Sequence, residues 1–175
     1  NELAVDDEFT DATSNGEEII ITTKKQRVIR FTKDGKFKYV NVLWQSTWEG
    51  SEVVESYNGN LYMTNKDANQ IYKHTPSLGS FTTGTQYLNE GDSKNIKKIL
   101  SLGIDGWIYI LNSELKIFKF FSSPKYRLES IILNKLPENY ALDPNGKVNL
   151  VTRNNLNYVY IFLNNKIWIF EPNTK

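Results

Sequence analysis

Residues Asp105–Phe121, DGWIYILNSELKIFKFF, decide the fold. An apolar run occupies Trp107–Leu111, Asn112-Ser113-Glu114 supplies turn chemistry, and a second run returns through Lys116–Phe121. Aromatic and β-branched side chains suit a pleated, half-buried surface, and Asn and Ser favour turns, so the stretch predicts a β-hairpin. Three other pairs of runs follow the same plan: Glu18–Thr22 with Val28–Phe31, Leu61–Met63 with Ile71–His74, and Val159–Ile161 with Ile167–Phe170. Their anchors Ile20, Tyr62, Tyr109 and Tyr160 stand 42, 47 and 51 residues apart, while the two runs of each pair are centred only 8 to 10 apart. One hairpin is held constant and the connections vary.

Further strands flank each hairpin. Glu52–Tyr57, Ile96–Ile104 and Val148–Thr152 precede it, and Lys36–Val42, Thr85–Leu88 and Tyr126–Leu133 follow it. Asn58-Gly59, Asp105-Gly106 and Asp34-Gly35 tolerate the positive φ that tight hairpins between twisted strands require. A unit of four short antiparallel strands over about 40–50 residues is the size of one β-propeller blade. The fold class expected is therefore all-β, a β-propeller rather than a sandwich or barrel. Its units are expected near 17–47, 48–93, 94–144 and 145–175, after an acidic N-terminal tail or irregular first strand over 1–16. A doubtful strand is read at Glu2–Val5. Around Asn89–Leu100 a helix capped by Asp92 or Ser93 is the weaker reading, because Ile99–Ile104 reads as strand. Four hairpins favour a segment of a larger ring over a compact four-bladed one.

Composition bounds the rest. Seven acids and no base fall in residues 1–18, yet the whole chain carries a net charge of only +1, so no general attraction to nucleic acid is expected. No apolar run reaches the roughly 18 residues of a membrane span. The absence of Cys removes disulfides, thiolate catalysis and zinc-thiolate sites and leaves the compartment open, with a mild preference for an extracytoplasmic one. The chain begins at Asn1 without Met, which suggests a processed product or a fragment.

The third unit, Asp105-Gly106-x-Ile108-Tyr109-Ile110-Leu111 followed by Lys116-Ile117-x-Lys119-Phe120, resembles the repeat of NHL-type and related six-bladed propellers. Asn58-Gly59-x-Leu61-Tyr62 and Lys166-Ile167-x-Ile169-Phe170 match it more loosely. The resemblance implies a propeller and leaves function open, since such folds serve hydrolases, lectins, scaffolds and receptors alike. Where that family often has an acid after the first hairpin strand, this chain has Asn65, Asn112 or Asn164.

Candidate site residues follow from the connections. Trp44 and Trp48 beside Glu49, in LWQSTWEG (43–50), suit stacking on a sugar ring or anchoring of a protein partner. Their plain alternative is packing against the next blade. A rival reading is a metal-dependent, lactonase-like propeller hydrolase with carboxylate ligands, for which Asp67, Glu90 and Asp92 are the available acids. His74 aligns with Phe31, Phe120 and Phe170, so it reads as packing and supplies no catalytic base. Arg30, Lys73 and Lys119 share the preceding slot and are expected to point to solvent, while Tyr62, Tyr109, Tyr160, Trp107 and Trp168 read as structural. The function expected is a non-catalytic platform for a protein or glycan, with no cofactor. Association with the remainder of the propeller or with a second copy is a further expectation.

Overall fold

The computed structural model describes residues 8–42, 53–65, 67–121, 129–131, 149–152, 159–163 and 166–170. The chain forms two compact units, Asn1–Lys97 and Lys98–Lys175.

In the first unit, β1 (Phe9–Ser14), β2 (Glu18–Thr23), β3 (Val28–Thr32) and β4 (Phe37–Val40) form sheet 1 in that order. The chain continues through β5 (Val54–Tyr57), β6 (Asn60–Thr64), β7 (Ile71–His74), the small hairpin β8 (Pro76–Ser77) and β9 (Ser80–Phe81), and β10 (Thr85–Gln86). Sheet 2 has the order β10-β7-β6-β5. A short helix, α1 (Glu90–Ile96), ends the unit. In the second unit, β11 (Ile99–Ile104), β12 (Trp107–Asn112), β13 (Ile117–Phe121) and β14 (Glu129–Ile131) make sheet 3. Sheet 4 consists of β15 (Asn149–Thr152), β16 (Val159–Leu163) and β17 (Lys166–Phe170). All four central hairpins expected from the sequence are present and antiparallel.

One turn recurs in three of them. Thr23, Asn65 and Asn112 hold the same repeat position, and each accepts a backbone N–H from the residue three places on: Gln26 at 2.9 Å, Ala68 at 2.9 Å and Leu115 at 2.9 Å. Those three donors all sit in the left-handed region, at φ 61°, 49° and 59°. The side chain at the turn's first position then accepts further N–H groups. Asn65 Oδ1 takes those of Asn69 and Gln70, both at 2.9 Å, and Asn112 Oδ1 takes those of Glu114 at 3.0 Å and Lys116 at 2.9 Å. Thr23 Oγ1 does the same more weakly for Arg27 at 3.2 Å. Asn112 is fully buried. An amide oxygen meets these donors without the cost of burying a carboxylate, which gives a physical reason for Asn at these positions.

Alternation along the strands gives each sheet two faces, one bearing the anchors Ile20, Tyr62, Tyr109 and Tyr160 and one reverse face. In the first unit the core joins Ile20, Val28 and Val40 of sheet 1 to Val54, Leu61 and Met63 of sheet 2, with Val42 and Phe81. In the second, Tyr109, Leu111 and Ile117 of sheet 3 meet Leu150 and Ile161 of sheet 4, with Trp107 and Trp168 packed against them. Both contacts set an anchor face on a reverse face. Burial of one such side chain contributes about 1.5–3 kcal/mol.

The first strands of the paired sheets are also tied by hydrogen bonds. Val54 N donates to Asp11 Oδ2 at 2.8 Å in the first unit, and Leu150 N donates to Ser101 Oγ at 2.9 Å in the second. Gly103 permits the second approach: a Cβ there would lie 2.4 Å from Leu150 Cδ2. A glycine inside a strand marks such a close approach of another chain segment, and Gly103 stands inside β11 for that reason.

Other expectations sharpen or change. Within 1–16, Phe9–Ser14 is a paired strand with a register shift between Phe9 and Asp11, while Glu2–Val5 lies outside the described residues. A helix does form at Glu90–Ile96, and its cap is Asn89, whose side chain accepts from Asp92 N at 2.8 Å. Ile96 therefore belongs to the helix and not to the strand after it. Lys119 is buried, its Nζ 4.3 Å from the centre of the Trp107 ring and 5.8 Å from that of Tyr109. The slot it shares with Lys73 and Arg30 lies on the anchor face, where Lys73 sits over Tyr62 and Arg30 pairs with Glu18.

Candidate functional site

Connections on one edge of the first unit carry Asp67, Glu90 and Asp92. Val28 pairs with Val40, so the β2–β3 turn and the chain leaving β4 share an edge of sheet 1. Val54 pairs with Met63, so the chain entering β5 and the β6–β7 turn share an edge of sheet 2. Asp11 meets Val54 and Thr13 meets Ser56, so β1 and β5 run side by side in the same direction and the two edges coincide. Ser93 Oγ donates to the Asn69 carbonyl at 2.6 Å and Gln70 Nε2 to that of Leu88 at 2.9 Å, which fastens the α1 segment to the same edge.

A shallow cleft opens where the chain leaves sheet 1. Its volume is about 470 Å³, and Gln26, Arg27, Tyr39 and Asn41 give it its polar and aromatic lining. The Arg27 guanidinium lies 5.7 Å from the centre of the Tyr39 ring. A cation on an aromatic face, with two amides beside it, offers stacking and several hydrogen-bond donors to a polar ligand. Val42 closes this lining and is the last described residue before Trp44. Trp44, Trp48 and Glu49 themselves lie outside the described residues.

The acids of the rival reading are spread along this edge. Asp67 stands exposed in the β6–β7 turn. Glu90 and Asp92 belong to the first turn of α1, where Glu90 pairs with Lys94 at 2.7 Å and Asp92 accepts from Asn89 Nδ2 at 2.6 Å. Among the described residues, no three His, Asp or Glu side chains converge as a metal would need.

Sequence reasoning missed a different pair of carboxylates. Thr13 Oγ1 accepts the Ser56 N–H at 3.1 Å and donates to Glu55 Oε1 at 3.0 Å, beside the Asp11 contact to Val54. Burial raises the Glu55 carboxyl to about 7, and the Asp11 charge adds to the effect, while the Thr13 and Ser56 hydrogen bonds oppose it. Glu55 is thus poised to exchange a proton near neutrality. The two acids stand 44 residues apart on strands outside the repeated hairpin, so no spacing rule links them. His74, by contrast, is buried as expected: its Nδ1 lies 2.9 Å from the Thr82 carbonyl oxygen, and burial lowers its basicity. Gly84 makes room for it, since a Cβ there would lie 2.7 Å from the imidazole.

No family model matches this sequence, and no curated protein matches it. Solved structures do. A chain of the nidogen/laminin complex superposes with a TM-score of 0.60 at 12% identity, over 92% of this chain and 58% of that one. Hsv2 of Kluyveromyces lactis gives 0.59 at 11% over 100% and 52%, and YCF48 bound to D1 peptide gives 0.55 at 15% over 98% and 54%. With four-stranded antiparallel sheets repeated along the chain, these likenesses decide the architecture. The fold is an all-β propeller. The chain spans about half the length of these neighbours, and its sheets are blades. Among the described residues no helix is long and apolar enough to cross a membrane.

Proposed function

We propose that this propeller is a non-catalytic binding platform that engages a protein or glycan through the connections on the β2–β3 edge of the first unit. The observation that carries this reading is the cleft of Gln26, Arg27, Tyr39 and Asn41, which opens where the chain enters the Trp44–Glu49 segment. Exposed Trp and Tyr give contact area at little entropic cost, and Arg and the amides give direction. Trp44 and Trp48 are assigned as stacking anchors and Glu49 as a polar contact. Two of the structural neighbours were solved with partners, one as a nidogen/laminin complex and one with a D1 peptide, which supports a partner-binding role. The Asp105-Gly106-x-Ile108-Tyr109 pattern supports an NHL-type assignment of the repeats.

Glycan and peptide arrays probed with the wild type, Trp48→Ala and Arg27→Ala test the reading. Spots bound by the wild type are expected to fade at least tenfold in both variants, with circular dichroism unchanged. If both variants retain every wild-type spot, the cleft and the Trp segment are not the site. A stoichiometric divalent ion in the purified protein, measured by elemental analysis, would replace the platform by the metal-dependent hydrolase.

A further inference from the structure

Blades 1 and 4 each have one apolar face that carries exposed large side chains. On blade 4, register places Val151, Tyr160 and Ile169 in one cross-strand row and Asn149, Phe162 and Ile167 in the next, all on the anchor face. Ile169 is 62% exposed, Ile167 60%, Val151 45% and Phe162 41%, whereas Leu150 and Ile161 on the opposite face are buried against blade 3. On blade 1, the reverse face carries the rows Ser14–Ile19–Phe31–Phe37 and Ala12–Ile21–Ile29–Tyr39, with Ile19 50% and Tyr39 40% exposed, Ile21, Phe31 and Phe37 half-buried, and Ile29 buried at its centre. None of these fourteen positions is charged, although 23% of the chain is. A solvated face of an antiparallel sheet is ordinarily polar. The docked face of blade 1, by comparison, carries Asp11, Glu18, Arg30 and Lys38.

The two open faces are of opposite kind. Inside each unit an anchor face packs on a reverse face, and the exposed face of blade 4 is an anchor face while that of blade 1 is a reverse face. We propose that a second copy of this chain covers them, the reverse face of blade 1 in one copy seating on the anchor face of blade 4 in the next. Such a contact repeats between copies the packing already present within each unit. Two copies also span roughly the length of the solved propeller chains, of which one copy spans 52–58%. The contact is heterologous, so each copy has one of each surface to offer. The face of blade 1 meets the proposed ligand cleft at Tyr39, which lines both, whereas Ile19 and Ile169 stand outside that cleft.

Sedimentation of the 175-residue chain at tens of micromolar tests it. The wild type is expected at twice the single-chain mass of 20.3 kDa or more. Ile169→Lys and Ile19→Lys, both at exposed positions, are each expected to be folded by circular dichroism and to lose at least half of their association. Mixing the two variants is expected to restore a dimer, because the intact blade 4 of one meets the intact blade 1 of the other. The chain has no cysteine, so a mixture of Ile19→Cys and Ile169→Cys proteins is expected to form a covalent dimer on oxidation. A monomeric wild type overturns the proposal. So does association that survives Ile19→Lys, which would mean that like faces pair, or a mixture of the two Lys variants that stays monomeric. A longer polypeptide that sediments as a monomer while protecting Ile19 and Ile169 from exchange would also overturn it, and would make the occupant further strands of the same chain.

Discussion

The two units dock their blades with the same device and build it from different chemistry. In the first, a backbone N–H of β5 meets the Asp11 carboxylate, with Glu55 half-buried beside it; in the second, the matching N–H of β15 meets the Ser101 hydroxyl. The cores differ too. Seven aliphatic side chains and Phe81 fill the first, whereas Tyr109, Trp107 and Trp168 dominate the second, with Lys119 laid over two of those rings. One geometry therefore tolerates an ionisable contact in one place and a neutral one in another. What the repeat constrains is the position of an oxygen acceptor, not its charge.

The largest expected effect comes from the cores. Met63→Ala and Ile161→Ala each remove a fully buried side chain, one per unit, and each is expected to cost about 2–5 kcal/mol. Because the chain divides into two compact units, the loss should be local. Hydrogen exchange read by mass spectrometry should show Met63→Ala speeding exchange within residues 8–97, and Ile161→Ala within 98–170. Uniform acceleration along the chain in both variants would mean that the units unfold as one, and the comparison would lose its footing.

The comparison also shows what the sequence makes legible. All four hairpins could be placed from the spacing of Ile20, Tyr62, Tyr109 and Tyr160, since alternation and turn residues are local signals. The burial of Lys119 could not. Alternation reports which side chains share a face, and in a propeller the face away from one core is packed on the next blade. The sequence left 1–16 open between a tail and an irregular first strand, because Asp11 and its acidic neighbours resemble a solvated tail, although Asp11 serves as an acceptor for another blade. α1 was hidden because seven residues give too short a periodic signal, and its true cap, Asn89, stands before the acids that drew attention. The Asp11–Glu55 pair is the product of topology alone. The Arg27–Tyr39 cleft joins a turn to a strand residue twelve positions further on, and only the register of β3 with β4 brings them together.

Glu55 sharpens the contrast between the units. Its folded pKa, raised from 4.5 to about 7, lies above its unfolded value, so between those limits the folded state holds more proton than the unfolded state. Stability is then greatest below about pH 4.5 and falls as pH rises through 7, by a loss on the order of 3 kcal/mol. His74, with its basicity lowered by burial, slopes the other way, and Asp105 in the second unit, raised by burial, slopes the same way as Glu55. Glu55→Gln isolates the effect, since its amide oxygen still accepts from Thr13. Urea titrations at pH 5 and pH 8 are expected to show the variant gaining on the wild type at pH 8 only. An equal pH slope in both proteins would show that Glu55 keeps an ordinary pKa.

The smallest effect probes the turn that the units share. Gln26, Ala68 and Leu115 adopt positive φ at one repeat position, a conformation that costs a side-chain-bearing residue roughly 1–2 kcal/mol. Glycine removes that cost but is itself more flexible when unfolded, which takes back about 0.5–1 kcal/mol. Gln26 is exposed, so Gln26→Gly is left with a net gain of about 0.5 kcal/mol, visible as a rise of a degree or two in Tm. Leu115 occupies the same turn yet packs against the core of the second unit, so Leu115→Gly forfeits apolar contact as well and should destabilise by more than it relieves. Opposite signs at equivalent positions would show that the backbone of this turn is common to both units while its side chains answer to different surroundings. Destabilisation by Gln26→Gly would locate part of the turn's energy in the glutamine side chain, and the repeat would then be less uniform than its hydrogen bonds suggest.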